Sequence, residues 1–334
     1  MQILQCVQVS HAVTFQIDNK CFVSFQCQSV SRGDVTGSMC LPLCFENKVV
    51  ITSHCLNHPI GKKVYLATWN GRKVVLKIHE QFANQPFFHK NIATLPTTKE
   101  FAENLRNLTR LKYNVNFSGT DAELISQIWT GNASKRKMLQ EQANMEAGDW
   151  SKLNATMRSL WSLALQPEFL FYRLFHKNKH IPKVYGSCGA LHAVEFAPPT
   201  NFLDPDVQHA FRFTPESWPE RVRIAEQVLS LTRSFDEDFS DRILACDLRG
   251  GNVGLTSDGT LKAIDTDTTI RLQSQLEQQV FPQVPCSSDK NCYINECLGR
   301  CDRERARCDQ YIHNNNLQVS LKPFSLPNKF YAKG

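Results

Sequence analysis

The sequence predicts an α+β fold in which two β-hairpins are separated by helices and both ends of the chain are held by disulfides. Three observations lead there. The stretch KVYLATWNGRKVVLKI, residues 63–78, is two β-rich runs around Asn70-Gly71, the dipeptide preferred in a two-residue hairpin turn. The stretch SWPERVRIAEQVLSLTRSF, residues 217–235, opens with Ser217 and Glu220 in capping-box relation and continues as an apolar stripe at Val222, Ile224, Val228 and Leu231. Eleven of the 13 cysteines fall in two clusters, Cys6, Cys21, Cys27, Cys40, Cys44 and Cys55 near the start and Cys286, Cys292, Cys297, Cys301 and Cys308 near the end.

In chain order, residues 1 to about 60 read as a stapled cap with short β-like runs at Val13–Phe15 and Val49–Thr52. The first hairpin follows and opens a second region, residues 61–196. A polar segment from about 98 to 160 interrupts it, with helical stretches such as Glu100–Leu111. Then ATMRSLWSLALQPEFLFYRLF, residues 155–175, carries apolar residues at helical spacing, and IPKVYGSCGALHAVEF, residues 181–196, reads as a hairpin turning at Cys188-Gly189. The third region, residues 197–334, holds the long helix, an apolar-flanked loop and the second cysteine cluster at 286–308. There is no internal repeat and no apolar run of the roughly twenty residues a membrane span requires.

Composition narrows the setting. With 334 residues, 42% hydrophobic and 21% charged, the chain can bury a sizeable core. Its net charge of +6 is spread without a long basic run, so nucleic acid is not an expected partner. Neither cysteine cluster contains a C-x-x-C pair, which favours disulfides over zinc; Cys188 and Cys246, outside the clusters, read as buried thiols. Sequons at Asn107, Asn116, Asn132 and Asn154 agree with an oxidising, luminal compartment. Met1–Gln16 lacks the basic and apolar regions of a secretory leader, so a leader or anchor is expected to be missing from this chain.

The stretch ILACDLRGGNVGL, residues 243–255, carries the chemistry. Phosphoryl transfer from a nucleotide needs a cation on the phosphates, oxygen ligands for magnesium and a carboxylate to orient the acceptor hydroxyl. Asp247 and Asn252 have the spacing of the base and second metal ligand of a kinase catalytic loop, and Arg249 lies two residues past the base. Asp265, in LKAIDTD, stands thirteen residues after Asn252 as a metal-binding carboxylate would. Lys77 closes RKVVLK on the second strand of the first hairpin, and Glu168 is its candidate partner on the helix before the second hairpin. The bland readings are a glycine turn between helix and strand at Gly250-Gly251 and an exposed strand lysine at Lys77.

Together with GDVTGSMCLPLC, HCL and CYINECLGRCDRERARCDQ followed by NNNLQ, these motifs make the chain resemble the divergent protein kinase domain 1 family over about Cys21–Gln318. The resemblance implies a two-lobed, protein-kinase-like fold whose small lobe is interrupted by an EF-hand-like helical insertion. It implies proteins of the endoplasmic reticulum lumen, anchored as single-pass type II membrane proteins, with Lys77, Glu168, Asp247, Asn252 and Asp265 at the kinase-like positions. The chain departs from ordinary kinases in having no G-x-G-x-x-G before Lys77, Cys246 where the loop has histidine or arginine, Thr-Asp after Asp265 and no A-P-E, and it is expected to stop short of the family's usual C-terminus. In the candidate calcium loop NVNFSGTDAELI, Ile125 stands where the bidentate glutamate belongs; in EAGDWSKLNAT the sixth-position glycine and acidic twelfth residue are missing. Calcium binding is therefore not expected. Two function classes stay open: a phosphotransferase that uses ATP and Mg2+ on a hydroxyl of an unidentified luminal protein or glycan, and a pseudokinase scaffold in the endoplasmic reticulum.

Overall fold

The structure, a computed structural model, describes residues 19–53, 61–83, 98–130, 150–199, 218–248, 250–267 and 270–321. They form two compact units. The first comprises the described residues up to Thr109 with Asn116–Leu174 and Lys183–Phe196; the second takes Arg110–Val115, Phe175–Pro182 and the described residues from Ala197 onward. Helices and sheet are mixed as the sequence predicts, and disulfides lie in both terminal regions.

The first unit is built on an antiparallel sheet of β1 (Val49–Ile51), β2 (Lys62–Trp69), β3 (Arg72–His79), β4 (Val184–Cys188) and β5 (Leu191–Glu195), in the order β1-β2-β3-β5-β4. The predicted first hairpin is present: Trp69 pairs with Arg72, and Asn70 and Gly71 turn with φ of 49° and 77°, the left-handed pair a type I′ turn demands. The second hairpin turns at Gly189-Ala190, one residue later than predicted, because Cys188 is still paired with Leu191.

Strand alternation sorts the side chains into two faces. Tyr65, Ala67, Val74, Leu76, Ile78, Leu191 and Ala193 are buried on one face against Met39, Cys40 and Leu43 of the N-terminal cap. Lys77 pairs with Val64 on one side and His192 on the other, and Lys62 lies two residues from Val64, so all four belong to the opposite face. Among the described residues the cap is mainly helical, with α1 (Asn19–Ser31) and α2 (Cys40–Cys44) joined by Cys27–Cys44, and only Val49–Ile51 of its β-like runs forms a strand; Val13–Phe15 lies outside the described residues.

Cys188 is not a buried thiol but bridges to Cys40. The reason is backbone pairing that sequence spacing does not reveal. Met39 N–H donates to the Ser187 carbonyl at 2.9 Å and Gly189 N–H to that of Thr36 at 3.1 Å, so the cap runs along the edge of β4. Gly37 permits this approach, since a Cβ there would sit 2.0 Å from the Ser187 oxygen.

The insertion supplies α3 (Thr98–Tyr113), α4 (Asp121–Ile128) and α5 (Trp150–Ala164), followed by α6 (Pro167–Leu174). The long apolar run at 155–175 is thus two helices, broken before Pro167, which takes the first helical position where its missing N–H costs nothing. In the α3–α4 loop, Arg106 pairs with Asp121 and donates to the Gly119 carbonyl at 2.9 Å, and Thr120 caps α4 reciprocally with Glu123. Ile125 is buried, and Asn116 is exposed. The start of the alternative loop, Glu146–Asp149, lies outside the described residues.

The second unit contains α7 (Trp218–Glu237), the pair β6 (Ile243–Ala245) and β9 (Ile270–Leu272), the hairpin β7 (Val253–Leu255) and β8 (Leu261–Ala263), and the C-terminal α8 (Asn316–Leu321). The buried face of α7 runs through Val228, Leu231 and Phe235; Val222, predicted in the stripe, is exposed, and Ser217 lies outside the described residues. Leu244, Leu276 and Phe281 pack with Cys246, Cys292, Cys297 and Cys308 into a small core stapled by Cys246–Cys297, Cys286–Cys301 and Cys292–Cys308. Cys246 too was expected to be a thiol. Among the described residues no helix is long and apolar enough to cross a membrane.

Loop length ranks the disulfides of the first unit. Cys40–Cys188 spans 148 residues and Cys27–Cys44 spans 17, for which chain entropy gives about 5 and about 3 kcal/mol. Cys40→Ala/Cys188→Ala is therefore expected to lower the urea midpoint more than Cys27→Ala/Cys44→Ala, and the reverse order would contradict the edge pairing.

Candidate functional site

In the first unit the site begins with helix α6. Gln166, just before it, receives the His79 N–H at 3.0 Å and donates to the Ala190 carbonyl at 2.7 Å, tying the helix start to β3 and to the second hairpin. Glu168, the second residue of α6 and two beyond the clamp, is thereby held against the sheet. Lys77 Nζ meets its Oε1 at 2.5 Å, so the two residues paired from the sequence do come together.

A second lysine meets the same carboxylate. Lys62 Nζ lies 2.5 Å from Oε2, and the Tyr172 hydroxyl donates to Oε1, also at 2.5 Å. The three side chains Lys62, Lys77 and Glu168 are at most 9% exposed. Burial alone would push the Glu168 carboxyl up, but the charges of Lys62 and Lys77 and their hydrogen bonds overcome it and hold it down at about 2. Burial likewise drives the His192 imidazole down to about 3, helped by Lys77 and Lys62 against the pull of Glu168, so His192 is a neutral ring beside the ion pair. Its ring packs edge-on to Phe169 with centroids 5.2 Å apart. The ring nitrogens have no hydrogen bond of ordinary geometry, and the Ala190 backbone, which pulls the imidazole up, does not offset the burial.

In the second unit, β6 delivers the loop that holds Asp247. Asn316 lines its free edge: its Oδ1 accepts from Ala245 N–H at 2.8 Å, and its Nδ2 donates to the Ile243 carbonyl at 2.7 Å and to Asp236 at 2.8 Å. Cys246 then ties the next residue to Cys297, and its carbonyl accepts from Glu296 N–H at 2.6 Å. Asp247 follows, 7% exposed, and its carbonyl accepts from Asn252 Nδ2 at 2.7 Å, which closes the loop on itself. Ile264 N–H donates to the Asn252 carbonyl at 2.9 Å, in register with Val253 opposite Ala263, so Asp265 emerges next to Asn252. Arg249 lies outside the described residues.

Two neighbours escaped the sequence reading. Lys62 was overlooked because its diagonal relation to Lys77 exists only once the β2–β3 register is known. Asp267 was read only as a departure after Asp265, yet the carboxylates of Asp265 and Asp267 lie within 4.8 Å of one another. The signal was available in the Asp-Thr-Asp spacing, since residues i and i+2 of an extended segment share a face.

Sequence comparison with known families fits this arrangement. A model of the protein-kinase domain of FAM69 matches residues 160–322, and a model of the cysteine-rich N-terminal region of FAM69, an endoplasmic-reticulum family, matches residues 4–130. The chain belongs to the FAM69 family. Glu168, Asp247, Asn252 and Asp265 fall in the FAM69 kinase match, whereas Lys62 and Lys77 fall in the cysteine-rich one. The resemblance to a divergent, cysteine-rich, kinase-like family therefore holds, and the FAM69 kinase-like domain has its lysine partner and its glutamate in separately matched stretches.

The ion pair makes stability depend on acid in a defined direction. Glu168 binds its proton more weakly folded than unfolded, so its contribution is full above its ordinary value of 4.5 and is lost as the pH falls from there towards about 2. Acid unfolding followed by circular dichroism should show this step in the parent and not in Glu168→Gln, which is expected to be less stable at neutral pH by about 3–5 kcal/mol because two buried lysines lose their shared partner. Asn316→Ala leaves backbone groups of β6 unmatched and should cost about 1–3 kcal/mol in denaturant titration.

Proposed function

We propose that this FAM69 chain is a luminal, kinase-like phosphotransferase that binds ATP with magnesium and passes a phosphoryl group to the hydroxyl of a protein or glycan of the secretory pathway. The observation that carries the reading is the buried Lys77–Glu168 pair at 2.5 Å. A strand lysine with no function would be left in solvent, since burying an ammonium costs several kcal/mol unless it is matched. Here a helix, a glutamine clamp and a tyrosine serve to fix it.

In this reading Lys77, oriented by Glu168, grips the nucleotide phosphates, and Asp247 orients the acceptor hydroxyl and takes its proton. Arg249, from its place in the loop, steadies the transferring group. Magnesium suits the donor set: Asp265 and Asp267 offer clustered carboxylates, and Asn252 spends its amide N–H on the Asp247 carbonyl, which leaves its side-chain oxygen for a cation. Bound there, the ion would offset phosphate charge. Calcium has no part in the reading, because the buried Ile125 stands where the insertion loop would need its bidentate carboxylate. The luminal setting is supported by five disulfides among the described residues and by the endoplasmic-reticulum assignment of the matching N-terminal family.

The pseudokinase scaffold is favoured by the departures from the kinase pattern, the missing G-x-G-x-x-G before Lys77 first and Cys246 in the place of the loop's usual histidine or arginine beside it. The Cys246–Cys297 bridge weakens the second argument, because it anchors the residue before Asp247 covalently.

The deciding measurement is magnesium-dependent nucleotide binding by thermal shift on protein made in an oxidising compartment. A shift with Mg-ATP that is lost in Lys77→Ala and reduced at least tenfold in apparent affinity in Asp265→Asn is expected. Folded protein without any shift would leave the scaffold as the function.

A further inference from the structure

A kinase-like nucleotide site is expected to present one strand lysine, yet two converge here. Lys62 is the first residue of β2 and lies diagonally from Lys77 on the same face of the sheet, since Val64 pairs with Lys77. Each ammonium takes a different oxygen of Glu168, both at 2.5 Å. Three features make this a built arrangement. Glu168 is held by the Gln166 clamp, Tyr172 adds a third donor to the carboxylate, and His192, which shares the face, is neutral and adds no charge.

Lys62 also stands at a telling place along the chain. It follows Gly61 at the start of the strand that, in a kinase, succeeds the glycine-rich turn whose backbone N–H groups cover the phosphates. This sequence has no G-x-G-x-x-G there. We propose that Lys62 is a second phosphate-binding lysine, acting with Lys77 on the polyphosphate of the nucleotide and supplying the donors that a glycine-rich loop would otherwise provide. The proposal rests on the nucleotide-binding reading above.

Sharing one carboxylate makes the arrangement workable. Glu168 is fully buried, and a buried carboxylate stripped of its cation is costly. With three donors on each ammonium, both lysines can offer an N–H to the phosphates while keeping another on Glu168, so the carboxylate stays matched. Lysine suits the task as a compact, flexible point charge with three donors.

The test compares the parent with Lys62→Ala, Lys62→Arg and Lys77→Ala by isothermal titration against Mg-ATP, adenosine and inorganic tripolyphosphate, with circular dichroism to confirm folding. Lys62→Ala is expected to weaken Mg-ATP at least tenfold, to leave any adenosine binding unchanged and to lower the dependence of affinity on salt, with Lys62→Arg recovering most of the loss. A structural role would instead change all probes together. If the parent binds Mg-ATP and Lys62→Ala binds it equally well, Lys62 is only a second structural partner of Glu168 and the inference falls while the nucleotide reading stands. If tripolyphosphate binds in a Lys62-dependent way and Mg-ATP does not bind, the two-lysine grip survives and the nucleotide reading fails. A parent that binds neither overturns both.

Discussion

The first unit is organised around one buried carboxylate. Glu168 would favour its neutral form in an apolar interior, and it is ionised because two ammonium groups and a phenol hydroxyl meet it. That requirement reaches outward. The two lysines meet only if β2 and β3 hold their register, and the Asn70-Gly71 turn sets that register. The glutamate reaches them only if α6 starts where it does, which Pro167 and the Gln166 clamp secure. A charge that must be matched thus constrains a turn, a strand register and a helix start more sharply than apolar packing, which tolerates shifts of volume and position.

Disulfides do in this chain what hydrogen-bonded motifs and larger cores do elsewhere. The cap is fixed to the sheet edge through Cys40–Cys188, and its described residues pack on the face opposite Lys62 and Lys77. In the second unit, Cys246–Cys297 fixes the residue next to Asp247, and two further bridges staple a core of few apolar side chains. The two-residue strand pairs Tyr293–Ile294 with Cys297–Leu298 and Cys301–Asp302 with Arg307–Cys308 have little intrinsic stability, so covalent closure of the surrounding loops holds this segment together. An oxidising compartment would make that strategy available.

Much of this was legible in the sequence, for local reasons. Asn70-Gly71 dictates its own turn, the spacing of Asp247, Asn252 and Asp265 follows from a loop and a short hairpin, and Glu168 could be paired with Lys77 because one helix and one strand sufficed to bring them together. What stayed hidden was non-local. Lys62 becomes Lys77's neighbour only through register, and Cys188 and Cys246, isolated in sequence, find partners 148 and 51 residues away. Asn316, in NNNLQ, lines a strand edge that only the fold brings beside it. The Val222 position misled because helical periodicity marks which residues can share a face, not how far along the helix a neighbour covers it.

The neutrality of His192 bears on what the lysine face can do. A histidine at that register position with an ordinary value of 6.5 would gain charge in mildly acidic compartments and compete for Glu168; its burial holds it near 3 instead. The His192 ring therefore adds no charge beside Lys62, Lys77 and Glu168 at mildly acidic pH. A site that traded its glycine-rich loop for a second lysine would depend on charge more than on backbone shape, and it would need that charge to stay constant. Burying His192 as a neutral ring keeps one source of such change away from the lysines.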